Sequence, residues 1–225
     1  MFFDTRRISI RDSVDLLVVS HNFFDFTCNS CNAQDKNTFI QNCLAPMINA
    51  TSLPKIPLVM GFDLHNGITH PYNGTNGIVV YFDTAESLYR HNTSIWESWT
   101  NVGKCDRAGF VAQNKHRTFN LHNKVFGLLS CGDTVKSCYG AFSSCNLPTV
   151  DIYLNPSHIP VKGHASQHKN PPKFIINNTC QYCLGTRQLN TTPRQQSLIH
   201  GNPTILQQGW TQIGQQKSYL VDIQV

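Results

Sequence analysis

The sequence predicts a strand-rich α/β sandwich, folded as a single domain over residues 1–225. Three observations predict it. Apolar runs of strand length recur along the chain, and several are continuous rather than alternating, as expected of strands covered on both faces. Helical stretches are few. Segments rich in Gly, Pro and Asn separate the runs.

Taken in order, the expected strands are VDLLVVS (14–20), IPLVMGF (56–62), NGIVVYF (76–82), KVFGLLS (124–130), TVDIYL (149–154), KFIINN (173–178) and SYLVDIQV (218–225). A helix is expected over 35–48, DKNTFIQNCLAPMI, with Asp35 or Asn37 as its N-cap. A second is placed within 84–100, TAESLYRHNTSIWESWT. Loops are expected at 66–77, 155–172 and 185–209. From 184 onward the Gln-rich stretch and QQGWTQIG read as loop and edge before the closing strand. There is no internal repeat.

Length suffices for one sizeable core. Charged residues make up only 14% of the chain and the formal charge is +5, with ten histidines besides, so the balance suits an anionic ligand such as RNA or a nucleotide without demanding one. No run of like charges forms a basic arm. No stretch of about 18 apolar residues predicts a membrane span. The start, MFFDTRRISIRD, lacks a signal-peptide layout, so an intracellular chain, or one with a trimmed leader, is expected. Sequons stand at Asn49, Asn73, Asn92, Asn177 and Asn190, close to what the abundance of Asn, Ser and Thr produces by itself. The cysteines number nine, an odd count, and include two C-x-x-C pairs. Both features favour thiols or metal over a closed disulfide framework.

The order of the chemically suggestive motifs is more informative than any one of them. VDLLVVSHNFFDF ends a strand in Ser20-His21 and reaches Asp25. GFVAQNKHRTFNLHNKVFGLLSCGDT (109–134) places His116, then a strand, then Gly132-Asp133-Thr134. TVDIYLNP, GHAS (163–166) and KFIINNTCQY (173–182) follow. This series resembles the metallo-β-lactamase superfamily, and in motif order its transfer-RNA 3′-processing endonucleases (the tRNase Z branch), across roughly residues 1–183. The resemblance implies an αββα sandwich lacking its first strands, so that either the sheet is incomplete or a partner chain supplies them, a homologous chain or a second copy in a homo-oligomer. It also implies that His21, Asp25, His116 and Asp133 correspond to metal ligands. Phe23 and Phe26 replace two ligand histidines, Asn178 replaces the last, and Asn155-Pro156 stands where a histidine-glutamate pair is usual.

Family chemistry uses two metal ions to make a hydroxide and clamp a phosphate. Phenylalanine ligates nothing, so the standard pair of sites is lost. The four surviving N/O ligands suffice for one ion of Zn, Mn or Fe type, with Asp25 and His164 as candidate catalytic groups and His164 a general acid near a phosphodiester. The structural alternative makes His21 a satisfied core histidine, Asp25 a loop cap, and His158, His164 and His168 ordinary loop polarity. Cys28 and Cys31 follow the first motif, and Cys180 and Cys183 the last. In the resembled fold these loops meet, which implies a Cys₄ zinc clip. Reduced structural thiols are the alternative.

Three functions follow as expectations. The first is a catalytically degenerate binding or scaffold subunit. The second is a single-metal phosphodiesterase or nuclease acting on RNA or a nucleotide. The third is a secreted or viral surface module carrying glycans and disulfides. The acidic strand ends at Asp63 and Asp83 read as loop polarity unless the fold sets them beside His21.

Overall fold

A computed structural model describes residues 15–19, 21, 36–50, 55–63, 77–98, 106–134, 145–157, 175–179, 198–200, 204–213 and 216–224. It is a mixed α/β, strand-rich structure with few helices. Among the described residues, no helix is long and apolar enough to cross a membrane.

The first sheet has the order β1 (Leu17–Val19), β2 (Leu58–Asp63), β3 (Gly77–Ala85), β4 (Leu88–Trp96). β1 runs parallel to β2, and the remaining pairs are antiparallel. The second sheet has the order β5 (Thr118–Leu121), β6 (Lys124–Leu128), β7 (Ile152–Ser157), β8 (Ile175–Thr179), β9 (Leu198–His200). Its centre, β6-β7-β8, is parallel. β10 (Thr204–Ile213) and β11 (Gln216–Gln224) form a separate antiparallel pair.

Period-two alternation assigns each face of the first sheet a different partner. Val59, Val79, Tyr81 and Ile95 meet Phe119, Leu128, Ile152 and Leu154 of the second sheet. The Tyr81 and Phe119 rings stack with centroids 3.7 Å apart. On the opposite face, Leu58, Met60, Phe62, Ile78, Val80, Phe82 and Trp96 pack against Phe39, Ile40, Leu44 and Ile48. The layers are therefore helix, sheet, sheet. Continuous apolar strands were the signal for this arrangement, because both faces of the first sheet are covered.

The covering helix starts as α1 (Lys36–Phe39), widens into a π turn over Ile40–Leu44, and resumes as α2 (Ala45–Asn49). Pro46 gives the physical reason for the widening. It has no N–H, and its ring would crowd the carbonyl four residues earlier. The wider turn places the Ala45 N–H on the Ile40 carbonyl instead. At the helix end, the Asn49 amide donates to the Tyr89 carbonyl at 3.0 Å and accepts from the Tyr89 N–H at 2.7 Å.

Residues 84–100 depart from the expected helix. They hold the β3–β4 turn and all of β4. The segment LYRHNTSIW is rich in β-branched and aromatic residues, and Tyr89 points inward beside exposed neighbours. Glu86 and Ser87 turn the chain with φ of 52° and 63°, the conformation that matches the twist of a two-residue hairpin. His122 and Asn123 do the same between β5 and β6, with φ of 48° and 60°. The expected loops also contract. β7 continues through Asn155, Pro156 and Ser157, while β9 and the start of β10 lie within 185–209. Cys43, on the π turn, is disulfide-bonded, against the expectation of thiols. Cys131 and Cys145 are buried thiols.

Ser87 occupies a backbone region that glycine enters without steric cost. Ser87→Gly is expected to raise unfolding stability by about 1 kcal/mol, read as a higher denaturation midpoint with an unchanged slope.

Candidate functional site

The strand ends gather polar side chains at one end of the sandwich. β1 leads to His21, β2 ends at Asp63 opposite Gly77, and β4 leads to Glu97, whose N–H donates to the Gly77 carbonyl at 2.8 Å. β6 leads through Leu129, whose N–H donates to the Leu154 carbonyl at 2.9 Å, into α4 (Cys131–Thr134). His21, Glu97, Ser98, Arg117, Ser130, Asp133, Asn155 and Ser157 are all buried. A concentration of buried polar groups at strand ends is unusual unless they satisfy one another.

Two glycines make room for His21. A Cβ on Gly61 would stand 2.2 Å from its Cδ2. A Cβ on Gly77 would stand 3.1 Å from its Cε1 and 2.7 Å from Glu97 Oε2. The imidazole and the Glu97 carboxylate thus rest over the same bare backbone. Glu97 Oε1 accepts from the Gly132 N–H at 3.0 Å. Glu97 therefore joins the His21 side of the site to the Gly132-Asp133 turn.

Asp133 is held by Arg117. The guanidinium Nη1 donates to Asp133 Oδ2 at 2.7 Å, and both side chains are fully buried. The same oxygen accepts from the Ser130 N–H at 2.9 Å. Arg117 also donates to Asn114 Oδ1 at 3.0 Å and to the carbonyls of Leu128 at 3.2 Å and Phe110 at 3.3 Å. Its plane lies over the Phe110 ring, 4.3 Å from the centroid. Arg117 follows α3 (Arg107–Ala112) and the 3₁₀ turn Asn114–His116. Asp106 caps α3 by accepting from the Gly109 N–H at 2.9 Å.

Of the expected metal ligands, His21, His116 and Asp133 fall within the described residues. His21 sits under β2 and β3. Asp133 is engaged by a cation already. His116 is exposed on the 3₁₀ turn, where its carbonyl accepts from Thr93 Oγ1 at 2.7 Å. Among the described residues, no group of three or more His, Cys, Asp or Glu side chains is placed to hold a metal ion. A divalent ion at Asp133 would also meet the Arg117 charge at close range, so the described ligands do not fit one. Asp25, His164, Cys28, Cys31, Cys180 and Cys183 lie outside the described residues. Asn155 is buried in β7, and Asn178 pairs with Pro156.

Sequence reasoning missed Arg117 and Glu97. Glu97 lay within the expected helix, although an acid directly after the apolar Ile95-Trp96 is a strand-end signal. Arg117 lay beside the expected ligand His116 and was read past. Asp63 closes β2, its backbone in register with Gly77.

A second polar group lines β4. Lys36 Nζ donates to the Ser94 carbonyl at 2.7 Å, and His91 Nε2 lies 3.2 Å from Ser94 Oγ. Gln113 accepts from the Trp96 N–H and donates to the Trp96 carbonyl. Side chains thereby bond the backbone groups of this edge strand, which blunts its tendency to recruit another strand. Burial, then the Arg117 charge, lowers Lys36 to about 8. Burial and the Lys36 charge push His91 down, and burial with Lys36 and Lys115 does the same to His116.

No protein-family model, curated protein or solved structure matches the chain.

Lys36 yields a signed pH dependence. Between about 8 and its unperturbed 10.5 the unfolded chain holds a proton that the folded chain has released. Stability therefore rises with pH across that window. Relative to Lys36→Met, the native chain is expected to gain on the order of 1–2 kcal/mol between these limits, after discounting for partial solvent contact. The difference between the two denaturation profiles isolates this from Tyr81 and Tyr89, which burial raises to about 12 in both.

Proposed function

We propose that the chain is a catalytically degenerate protein of metallo-β-lactamase type, tRNase Z-like in motif order, serving as a binding or scaffold subunit. The buried Arg117–Asp133 pair carries the reading. The resemblance makes Asp133 a metal-bridging carboxylate, and a fixed guanidinium now neutralises it. Phe23 and Phe26 add apolar residues where two ligand histidines would stand. The helix-sheet-sheet layering is compatible with an incomplete αββα sandwich, and a homologous chain is the partner chemistry that would complete it. RNA or a nucleotide is the ligand class that the basic balance favours.

The thiolates of Cys28, Cys31, Cys180 and Cys183 are the donor set proposed for a structural zinc. Elemental analysis and a phosphodiester hydrolysis assay test both parts, on the native chain, Asp133→Ala and a Cys28→Ser/Cys180→Ser double variant. The expected result is one zinc per chain that is lost only in the cysteine variant, with no hydrolysis. Metal-dependent hydrolysis abolished by Asp133→Ala would overturn the scaffold reading in favour of a single-metal phosphodiesterase using Asp25 and His164.

The Cys43 disulfide favours a second reading, a secreted or surface module. Asn92 stands exposed on β4 as a glycan acceptor, whereas the Asn49 amide is committed to Tyr89. Intact mass from secretory expression, before and after deglycosylation and reduction, decides between them. Glycan on Asn92 with further cysteines oxidised would support this module and remove the zinc clip.

A further inference from the structure

Cys43 is disulfide-bonded, and Cys131 and Cys145 are thiols. The bond therefore goes to Cys28, Cys31, Cys105, Cys138, Cys180 or Cys183. Each of these is tethered by a short stretch of chain to a residue of known place, and a disulfide needs its two Cα atoms within about 7 Å. Chain reach thus sorts the candidates.

The covering helix runs antiparallel to β4, since Lys36 Nζ bonds the Ser94 carbonyl and the Asn49 amide bonds Tyr89. From Lys36 to Cys43 the helix rises about 10 Å. Cys43 is therefore level with the middle of β4, packed against the first sheet on the face turned away from the second. Cys105 adjoins Asp106, whose N–H donates to the Ser98 carbonyl at 2.9 Å. Ser98 lies about 13 Å beyond Ser94 toward the polar end, the opposite direction from Cys43, so roughly 20 Å separates the two cysteines. Cys180 adjoins Thr179, which pairs with Ser157 in the second sheet. Two layer spacings of about 10 Å each divide that sheet from the helix, and Ser157 stands at the polar end besides. The residues from Thr179 to Cys183 span at most about 14 Å, too little to cover the gap. Cys138 is as far along the chain from Thr134 of α4, which is fixed at the polar end on the second-sheet side by the Gly132 N–H bond to Glu97. Cys28 and Cys31 remain. Cys31 stands five residues before Lys36, a reach of about 17 Å, and Cys28 has more, so either spans the distance back to Cys43.

We propose that Cys43 is bonded to Cys28 or Cys31, so that the chain leaving His21 is tied covalently to the helix layer. Forming the bond joins the two sulfurs and passes two electrons and two protons to a low-molecular-weight or enzymic disulfide, which leaves as two thiols. The inference rests on the secreted or surface reading and stands against the zinc clip. It holds the CNSC pair on the helix side of the first sheet, whereas CQYC is anchored on the other.

Tryptic mapping of the full chain tests it. The protein is taken from secretory expression, alkylated without reduction, deglycosylated, digested from the monomer band and read by mass spectrometry. Cys28 and Cys31 share the peptide 12–36, Cys43 lies in 37–55, Cys105 in 105–107, Cys138 in 137–162, and Cys180 and Cys183 in 174–187. Peptide 12–36 linked to 37–55 is the expected result, and fragment masses name the cysteine. Cys43→Ser should then add one alkyl group to 12–36 and to no other peptide. A link from 37–55 to 105–107, 137–162 or 174–187 overturns the inference while leaving the secreted or surface reading in place. Alkylated Cys43 in the native chain overturns both.

Discussion

Burying Arg117 takes a permanently charged group out of water, at a cost of several kcal/mol that only a well-made set of partners offsets. The partners fix the positions of four elements. Phe110 comes from α3, Asn114 from the 3₁₀ turn, Leu128 from β6 and Asp133 from α4. Moving any of them by an ångström would leave a charge or a carbonyl unmatched inside the protein. The Ser130 N–H bonds Asp133, and in the same turn the Gly132 N–H bonds Glu97. Glu97 in turn stands over Gly77 beside the His21 ring. One ion pair thus sets the geometry of the whole polar end, and through it the relation of the first sheet to the second.

The apolar layers explain why the side chains at that end are buried. Tyr81 stacked on Phe119, with Val59, Val79, Leu128 and Leu154 around them, closes the space between the sheets. The helix with its π turn closes the other face of the first sheet. Charges embedded at the margin of such a core interact more strongly than surface charges and tolerate less movement. On the scaffold proposal, this is the physical content of degeneracy: a position suited to an exchangeable cation holds a covalently tethered one.

Much of the layering was legible in the chain, because burial on both faces writes itself as uninterrupted apolar runs. VDLLVVS, IPLVMGF and NGIVVYF became three adjacent strands of one sheet. LYRHNTSIW was harder, since β4 is an edge strand whose polar residues bond the 3₁₀ turn and each other rather than pack in the core. No glycine marked the turn, and Glu86-Ser87 bends with positive φ despite having side chains. The π turn follows from Pro46, yet its cysteine forms a disulfide that spacing did not foretell. His21 and Asp133 were singled out from the sequence, and both are buried at the polar end. Their environments depend on Gly61, Gly77, Glu97 and Arg117, which are distant in sequence and meet only through sheet register.

The dependence of the polar end on the Arg117–Asp133 pair is tested most directly by a double-mutant cycle with Arg117→Met and Asp133→Leu, read by chemical denaturation. Each single variant strands a buried charge and is predicted to cost about 3–5 kcal/mol, while the double variant, with both charges gone, costs far less than their sum. Additive losses, agreeing within about 0.5 kcal/mol, would contradict the account, since the two groups would then act independently.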